Sequence, residues 1–176
     1  TTFDALRKEG VALAGINCFT PARAPTLDEL CAAHDETYVR AVCASELSDK
    51  ARREIGLPWS DALVERTLME VSGTMLTMDL AARCGLAVNT AGGTHHAHRA
   101  RGSGFCIIND LAVSALRALE SGMAKRVMIV DLDVHQGDGT AGILKDVPGT
   151  FTLSAHAASN FPTRKETSSR DVELPR

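Results

Sequence analysis

Two short clusters in the chain carry side chains suited to metal binding and proton transfer. The first, Asp131-Leu132-Asp133-Val134-His135, follows the run Val127-Met128-Ile129-Val130. That run is short, branched and apolar, with turn residues after it, and reads as a buried parallel strand. Side chains on a strand alternate faces, so positions 131, 133 and 135 are expected to point the same way. Buried charges of one sign are costly unless paired or bound to a metal. Aspartate and histidine donors suit zinc or another borderline divalent ion. The second cluster, Gly92-Gly93-Thr94-His95-His96, follows Leu86-Ala87-Val88-Asn89-Thr90, another stretch that reads as a strand. Adjacent imidazoles in a glycine-flanked turn are poor packing material but suit proton transfer near neutral pH. A third segment, Gly104-Phe105-Cys106, brings an aromatic wall and a close-approach glycine to the start of the next helix.

The elements that must position these groups follow from periodicity and punctuation. Residues 3–9 read as a helix stopped by Gly10, and 11–19 as a strand. Thr26 can cap a helix through Leu30 to Ala33, and Asp35 to about Ser45 reads as another. Residues 46–59 hold charges, Gly56, Pro58 and the single tryptophan, and read as a loop or lid. Ser60 begins the longest helix, with Leu63, Val64, Thr67, Leu68, Val71 and Met75 at helical spacing, ending near Cys84-Gly85. Ile107 to Ser121 reads as a helix stopped by Gly122. Strand 126–131, helix 138–145 and strand 150–154 follow, and the tail 162–176 is polar. Strand and helix alternate after residue 60, which predicts an α/β domain with a parallel sheet and right-handed crossovers. Ligands bind such sheets beyond the carboxyl ends of the strands, where Asp131–His135, His95, His96 and Ser154 all fall.

Composition sets bounds without naming a chemistry. The 176 residues suffice for one domain with a core, and 44% hydrophobic and 23% charged residues are ordinary for a globular chain. A net charge of −3 gives no sign of direct nucleic-acid or anionic-membrane binding. No apolar run approaches the roughly 18 residues of a membrane span, and no signal-peptide pattern is present. Cys18, Cys31, Cys43, Cys84 and Cys106 are dispersed with no C-x-x-C pair, which reads as reduced thiols in a cytoplasmic protein, with the nucleus open in a eukaryote.

At the motif level the chain resembles the histone deacetylase superfamily of zinc-dependent deacylases. The matching blocks are Gly92-Gly93-Thr94-His95-His96-Ala97, residues 102–110 (Gly-Ser-Gly-Phe-Cys-Ile-Ile-Asn-Asp) and residues 131–140 (Asp-Leu-Asp-Val-His-Gln-Gly-Asp-Gly-Thr). Leu153-Ser154-Ala155-His156 and Asp171-Val172-Glu173-Leu174-Pro175 follow in the family order, and residues 30–39 resemble its early helix motif. The likeness spans roughly residues 27–175. Gln136, where many members have a second histidine, and the Gly-Gly before the histidine pair resemble class IV.

The resemblance implies an arginase-like three-layer α/β/α fold with a mainly parallel sheet, residues 1–176 forming a single, partial domain. It implies hydrolysis of acetyl or other acyl groups from lysine side chains of a protein or peptide, or from an acetylated polyamine. Asp133 and His135 would be zinc ligands. Asp131 would orient His95 and Asp138 would orient His96, fixing tautomer and basicity. His96 would be the better candidate for general base and then acid, with His95 acting more through hydrogen bonding and electrostatics; the sequence does not divide those roles. Gly104 and Phe105 would wall a narrow acyl channel. The Ser154 hydroxyl, with the carbonyls of Asp131, Asp133, His135 and Ala155, would hold a structural potassium ion. His34 reads as structural, the role of His156 stays open, and Cys106 reads as packed near the site because no base is placed beside it.

Gly137-x-Gly139-x-x-Gly142 also fits a dinucleotide-binding pattern after a strand. Asp131, Asp133 and Asp138 would crowd a pyrophosphate with negative charge, and the glycines come too far past the strand. The chain also departs from the family pattern. A third zinc-binding aspartate and a Gly-Gly-Tyr segment, whose hydroxyl stabilises the oxyanion, are expected further along, and neither occurs in this sequence. The single tyrosine, Tyr38, falls in an early helix. The expectation is therefore a portion of a complete zinc deacylase. Two other readings stand beside it: a truncated, noncatalytic partner-binding module, and an arginase-fold hydrolase with two manganese ions, whose site needs more bridging carboxylates.

Overall fold

The structure is a computed structural model that describes residues 2–12 and 18–175. Most of the strand expected at 11–19 lies outside the described residues. The first half is helical: α1 (Thr2–Lys8), α2 (Leu27–Cys31), α3 (Glu36–Cys43), α4 (Asp49–Ile55) and α5 (Asp61–Cys84). Local chemistry sets their ends. Thr26 accepts from the Glu29 amide while the Glu29 carboxylate takes the Thr26 amide, a reciprocal capping box for α2. Ser60 caps α5 through the Leu63 amide, and Gly85 closes it in a left-handed conformation. The segment expected as a loop or lid at 46–59 contains α4, because Ser48 caps it and Ile55 anchors it in the core at 1% exposure.

The second half carries α6 (Asp110–Glu120), β1 (Val127–Asp131), α7 (Asp138–Leu144), β2 (Thr150–Ala157) and β3 (Arg170–Leu174). All strand pairs are parallel, in the order β1-β2-β3. Asp131 lies opposite Ser154, and Ser154 opposite Asp171, so β2 runs past the end of β1. Ser154 is thus level with the carboxyl end of β1 although it sits inside its own strand. Helix α6 starts at Asp110, not Ile107, because Asn109 caps it through the Ala112 amide. The polar tail contains a strand: Arg170-Asp171-Val172-Glu173-Leu174 pairs with β2 through its backbone despite its charges.

Two strand expectations need correction. Residues 86–90 form no sheet pairing among the described residues, and Leu86 and Val88 are each 80% exposed. Strand β1 is partly buried on one face and exposed on the other. Val127 and Ile129 pack against the core with Ile108, Val113 and Leu144, while Met128 and Val130 on the other face are exposed. An apolar run gives strand propensity locally, but pairing and two-sided cover depend on neighbours.

Candidate active site

Strand β1 ends at Asp131, and the chain bends through 133–135 before α7. Asp131, Asp133 and His135 are therefore not one face of a strand, as the alternation rule predicts. They are gathered by hydrogen bonds along the bend. The Asp133 amide donates to Asp131 Oδ1 at 3.0 Å, and the His135 amide donates to Asp133 Oδ1 at 2.8 Å. His135 Nδ1 lies 3.0 Å from the same Asp133 oxygen, and both side chains remain about half exposed. Neighbouring ligand atoms on a tetrahedral zinc with bonds near 2.1 Å sit about 3.4 Å apart. The Asp133 carboxylate and the His135 imidazole thus fit zinc in donor type and spacing, as two of its ligands. Among the described residues no group of three His, Cys, Asp or Glu side chains is placed to hold a metal.

The histidine loop lies against this bend. His95 Nδ1 donates to Asp131 Oδ2 at 2.6 Å, and His96 Nδ1 donates to Asp138 Oδ1 at 2.7 Å. The two rings are 4.0 Å apart between centroids, and His96 is 5.9 Å from the His135 ring. Both pairs are nearly buried. Burial acts to lower the His95 pKa, but the hydrogen bond to Asp131 and the charges of Asp131, Asp133 and Asp138 outweigh it and raise it above the ordinary imidazole value. Burial acts to raise the Asp138 carboxyl, yet hydrogen bonds from His96 and His98 hold it well below the usual carboxylate range. With Nδ1 of each ring committed to a carboxylate, Nε2 is the free proton-exchanging atom.

Two glycines permit this closeness. A Cβ on Gly137 would overlap the Asp131 carboxylate and come within 3.2 Å of His95 Nδ1. A Cβ on Gly104, whose φ is +52°, would stand 2.7 Å from His96 Cδ2 and 3.0 Å from Phe161 Cε1.

The expected channel wall is placed differently for its two members. Gly104 touches His96, whereas Phe105 is 67% exposed, donates its amide to the Ile55 carbonyl and lies over Gly56. The aromatic ring against the histidines is Phe161, edge-on to His96 at 4.8 Å and to His135 at 6.2 Å. Cys106 is buried and its thiol is pushed up to about 12 by burial, which makes it inert as a nucleophile. Ser154 is buried in β2 with its hydroxyl 3.0 Å from His156 Nδ1, and Ala155 follows it at intermediate exposure.

Three contributors escaped the sequence reading. Phe161 comes from the long β2–β3 connection and has no local signature. His98 reaches Asp138 Oδ2 at 3.1 Å, and the His-x-His spacing 96–98 was the available signal. Asp110 is wholly buried and holds the histidine loop by accepting from the Gly93 amide, the Thr94 amide and the Thr94 and Thr74 hydroxyls. Its position at the end of the 102–110 block hinted at more than a helix start.

The fold and site together define a parallel α/β protein whose strand ends present carboxylate-paired histidines beside the Asp133 and His135 side chains. Residues 1–173 match the histone deacetylase domain, and the chain belongs to that family. It is 56% identical over 142 residues to an uncharacterized protein of Picosynechococcus sp., covering 81% of this chain and 47% of that one. It is 34% identical to acetoin utilization protein AcuC of Bacillus subtilis (76% of this chain, 37% of that one) and 31% identical to histone deacetylase RPD3 of Saccharomyces cerevisiae (80% and 34%). The chain thus spans less than half the length of these relatives. Among solved structures, a histone deacetylase homologue from Aquifex aeolicus superposes with a TM-score of 0.80 at 25% identity, covering 97% of this chain and 51% of that one. No helix among the described residues is long and apolar enough to cross a membrane.

Proposed function

We propose that the protein of which this chain forms part is a zinc-dependent deacylase that hydrolyses the amide of an acylated lysine side chain in a protein or peptide. An acetylated polyamine is the alternative substrate. The observation that carries this reading is the pairing of His95 with Asp131 and His96 with Asp138 beside the converging Asp133 and His135 donors. Asp133 and His135 would hold the metal. Zinc, when bound, would polarise the acyl carbonyl and lower the pKa of a water molecule.

The chain's own residues do the rest. Asp131 and Asp138 hold the imidazoles in one tautomer with Nε2 turned to the reacting groups. The histidine pair takes a proton from the attacking water and returns one to the leaving amine, so the products are a carboxylate and a free amine. Gly104 and Phe161 narrow the approach to His96. In the same reading Ser154 Oγ, with the carbonyls of Asp131, Asp133, His135 and Ala155, would hold a structural potassium ion under the bend.

The test is zinc content and acetyl-lysine peptide hydrolysis in the full-length protein and its His135→Ala variant. The variant is expected to lose both. Full zinc occupancy in His135→Ala would overturn the ligand assignment, and a zinc-loaded wild type that hydrolyses neither acyl-lysine nor acetylpolyamine would overturn the activity.

A further inference from the structure

Gln136 follows the ligand candidate His135 directly, is 1% exposed, and takes no part in the chemistry derived above. Its amide grips the connection between β2 and β3 from both sides. Gln136 Nε2 donates to the Glu166 carbonyl at 2.8 Å and to Asp171 Oδ1 at 2.9 Å, while Gln136 Oε1 accepts from the Glu166 amide at 2.8 Å. One side chain thus satisfies both backbone groups of Glu166 and ties them to Asp171 at the start of β3. The other oxygen of Asp171 takes the Ser168 amide at 2.9 Å.

The grip continues toward the site. Lys165, next to Glu166, donates its ammonium to the carbonyls of Asn160 at 2.5 Å and Pro162 at 2.7 Å, the residues on either side of Phe161. Phe161 then meets His96 edge-on at 4.8 Å. Residues 158–169 join two parallel strands without a helix, so little regular structure holds that connection in place. A long loop keeps a fixed side chain only where its backbone groups are paired.

We infer that Gln136 is a positioning residue that fixes the Phe161 wall against His96, acting through Glu166 and Lys165. Only a side chain with a donor and an acceptor at one tip can take both the carbonyl and the amide of Glu166. Alanine leaves both unpaired, and glutamate supplies no donor and sets a carboxylate against Asp171. Because Phe161 borders the approach to His96 and performs no proton transfer, its displacement weakens substrate binding more than the chemical step. This inference rests on the deacylase reading for its kinetic consequence and on geometry alone for its structural one.

The experiment compares full-length wild type, Gln136→Ala, Lys165→Met, Phe161→Leu and the Gln136→Ala/Phe161→Leu pair. Backbone amide exchange is followed over residues 158–171, with steady-state hydrolysis of an acetyl-lysine peptide. Gln136→Ala is expected to speed exchange around Phe161 as well as at Glu166. It should raise KM about 10-fold, the equivalent of one good hydrogen bond, with kcat changed less than about 3-fold. Lys165→Met, which breaks only the two ammonium bonds at the Phe161 end of the path, has to reproduce the exchange around Phe161 and the KM increase, and it decides the matter if Gln136→Ala does not fold. In the Phe161→Leu background the KM effect of Gln136→Ala should largely vanish, since residues on one path are not additive. Exchange confined to Glu166, a loss in kcat alone, or full additivity with Phe161→Leu overturns the inference. If the wild type hydrolyses no acyl substrate, the deacylase reading fails by itself. The exchange around Phe161 then supports or overturns the positioning role on its own.

Discussion

Asp138 Oδ1 accepts a hydrogen bond from His96 Nδ1 at 2.7 Å, with both side chains almost fully buried. The second carboxylate oxygen is taken by His98, so Asp138 is gripped from two sides and its charge is retained. A carboxylate held this way sets which His96 nitrogen carries the proton and keeps the ring from turning. Asp138→Asn should therefore lower kcat about 10–100-fold while zinc content stays constant. Steady-state kinetics alongside metal analysis checks this. An unchanged kcat would show that His96 needs no orienting partner.

The histidine loop depends on a residue outside it. Asp110 accepts the amides of Gly93 and Thr94 and the hydroxyls of Thr74 and Thr94, and none of its surface is exposed. Asp110→Ala leaves the Gly93 and Thr94 amides without an acceptor, while the two hydroxyls can turn to the carbonyls of Ile108 and Glu70, and should cost about 3 kcal/mol of stability. Asp110→Asn keeps one accepting oxygen and should cost about half as much. Urea unfolding of the variants measures both, and a loss under about 1 kcal/mol for alanine would mean that water replaces the carboxylate freely.

The sequence makes visible whatever is settled within a few residues. Thr26, Ser60 and Gly85 bound their helices where local capping chemistry puts them. The Asp131–His135 segment and the histidine pair stand out in the sequence because carboxylates and imidazoles cluster directly after apolar runs. Information held by distant partners is not legible. Leu86 and Val88 have strand-like side chains but no partner strand among the described residues, and Arg170–Leu174 is charged yet paired because Leu153–Ala157 lies alongside. Phe105 and Phe161 show the same limit inside the site. The first sits in the motif with its exposed ring over Gly56, while the second has no motif and reaches His96 through the path of the chain. Even Asp131, Asp133 and His135 are brought together differently from their expectation, by a bend in which each carboxylate takes a following amide, not by strand alternation.

Gly104 is expected to tolerate no side chain. Its φ of +52° already disfavours L residues, and a methyl group would meet His96 Cδ2 at 2.7 Å. His96 cannot swing aside without breaking its bond to Asp138. Gly104→Ala should therefore cost about 1 kcal/mol of stability and reduce kcat/KM by about 10-fold or more, which corresponds to little over 1 kcal/mol at the transition state. Thermal unfolding and kinetics on one preparation separate the two effects. Wild-type kcat/KM in this variant would remove Gly104 from the wall of the site.

His34 gives the fold a dependence on pH that can be isolated from the site. Its Nδ1 donates to the His98 carbonyl at 2.9 Å, and its Nε2 accepts from the Asn109 amide at 2.9 Å. Burial pushes its pKa down to about 4, against the raising effect of the carbonyls of His98 and Arg99. In the unfolded chain the ring returns to about 6.5. Between those values the unfolded chain binds the extra proton, so the stability held by neutral His34 is full above about pH 6.5 and is lost as pH falls toward 4, by about 3 kcal/mol. A protonated Nε2 would also face the Asn109 amide hydrogen. Urea unfolding at pH 7 and at pH 4.5 should show this fall in the wild type. His34→Gln, whose amide cannot titrate, should show correspondingly less. Identical pH dependence in the two proteins would mean that His34 is not the group that loses stability in acid.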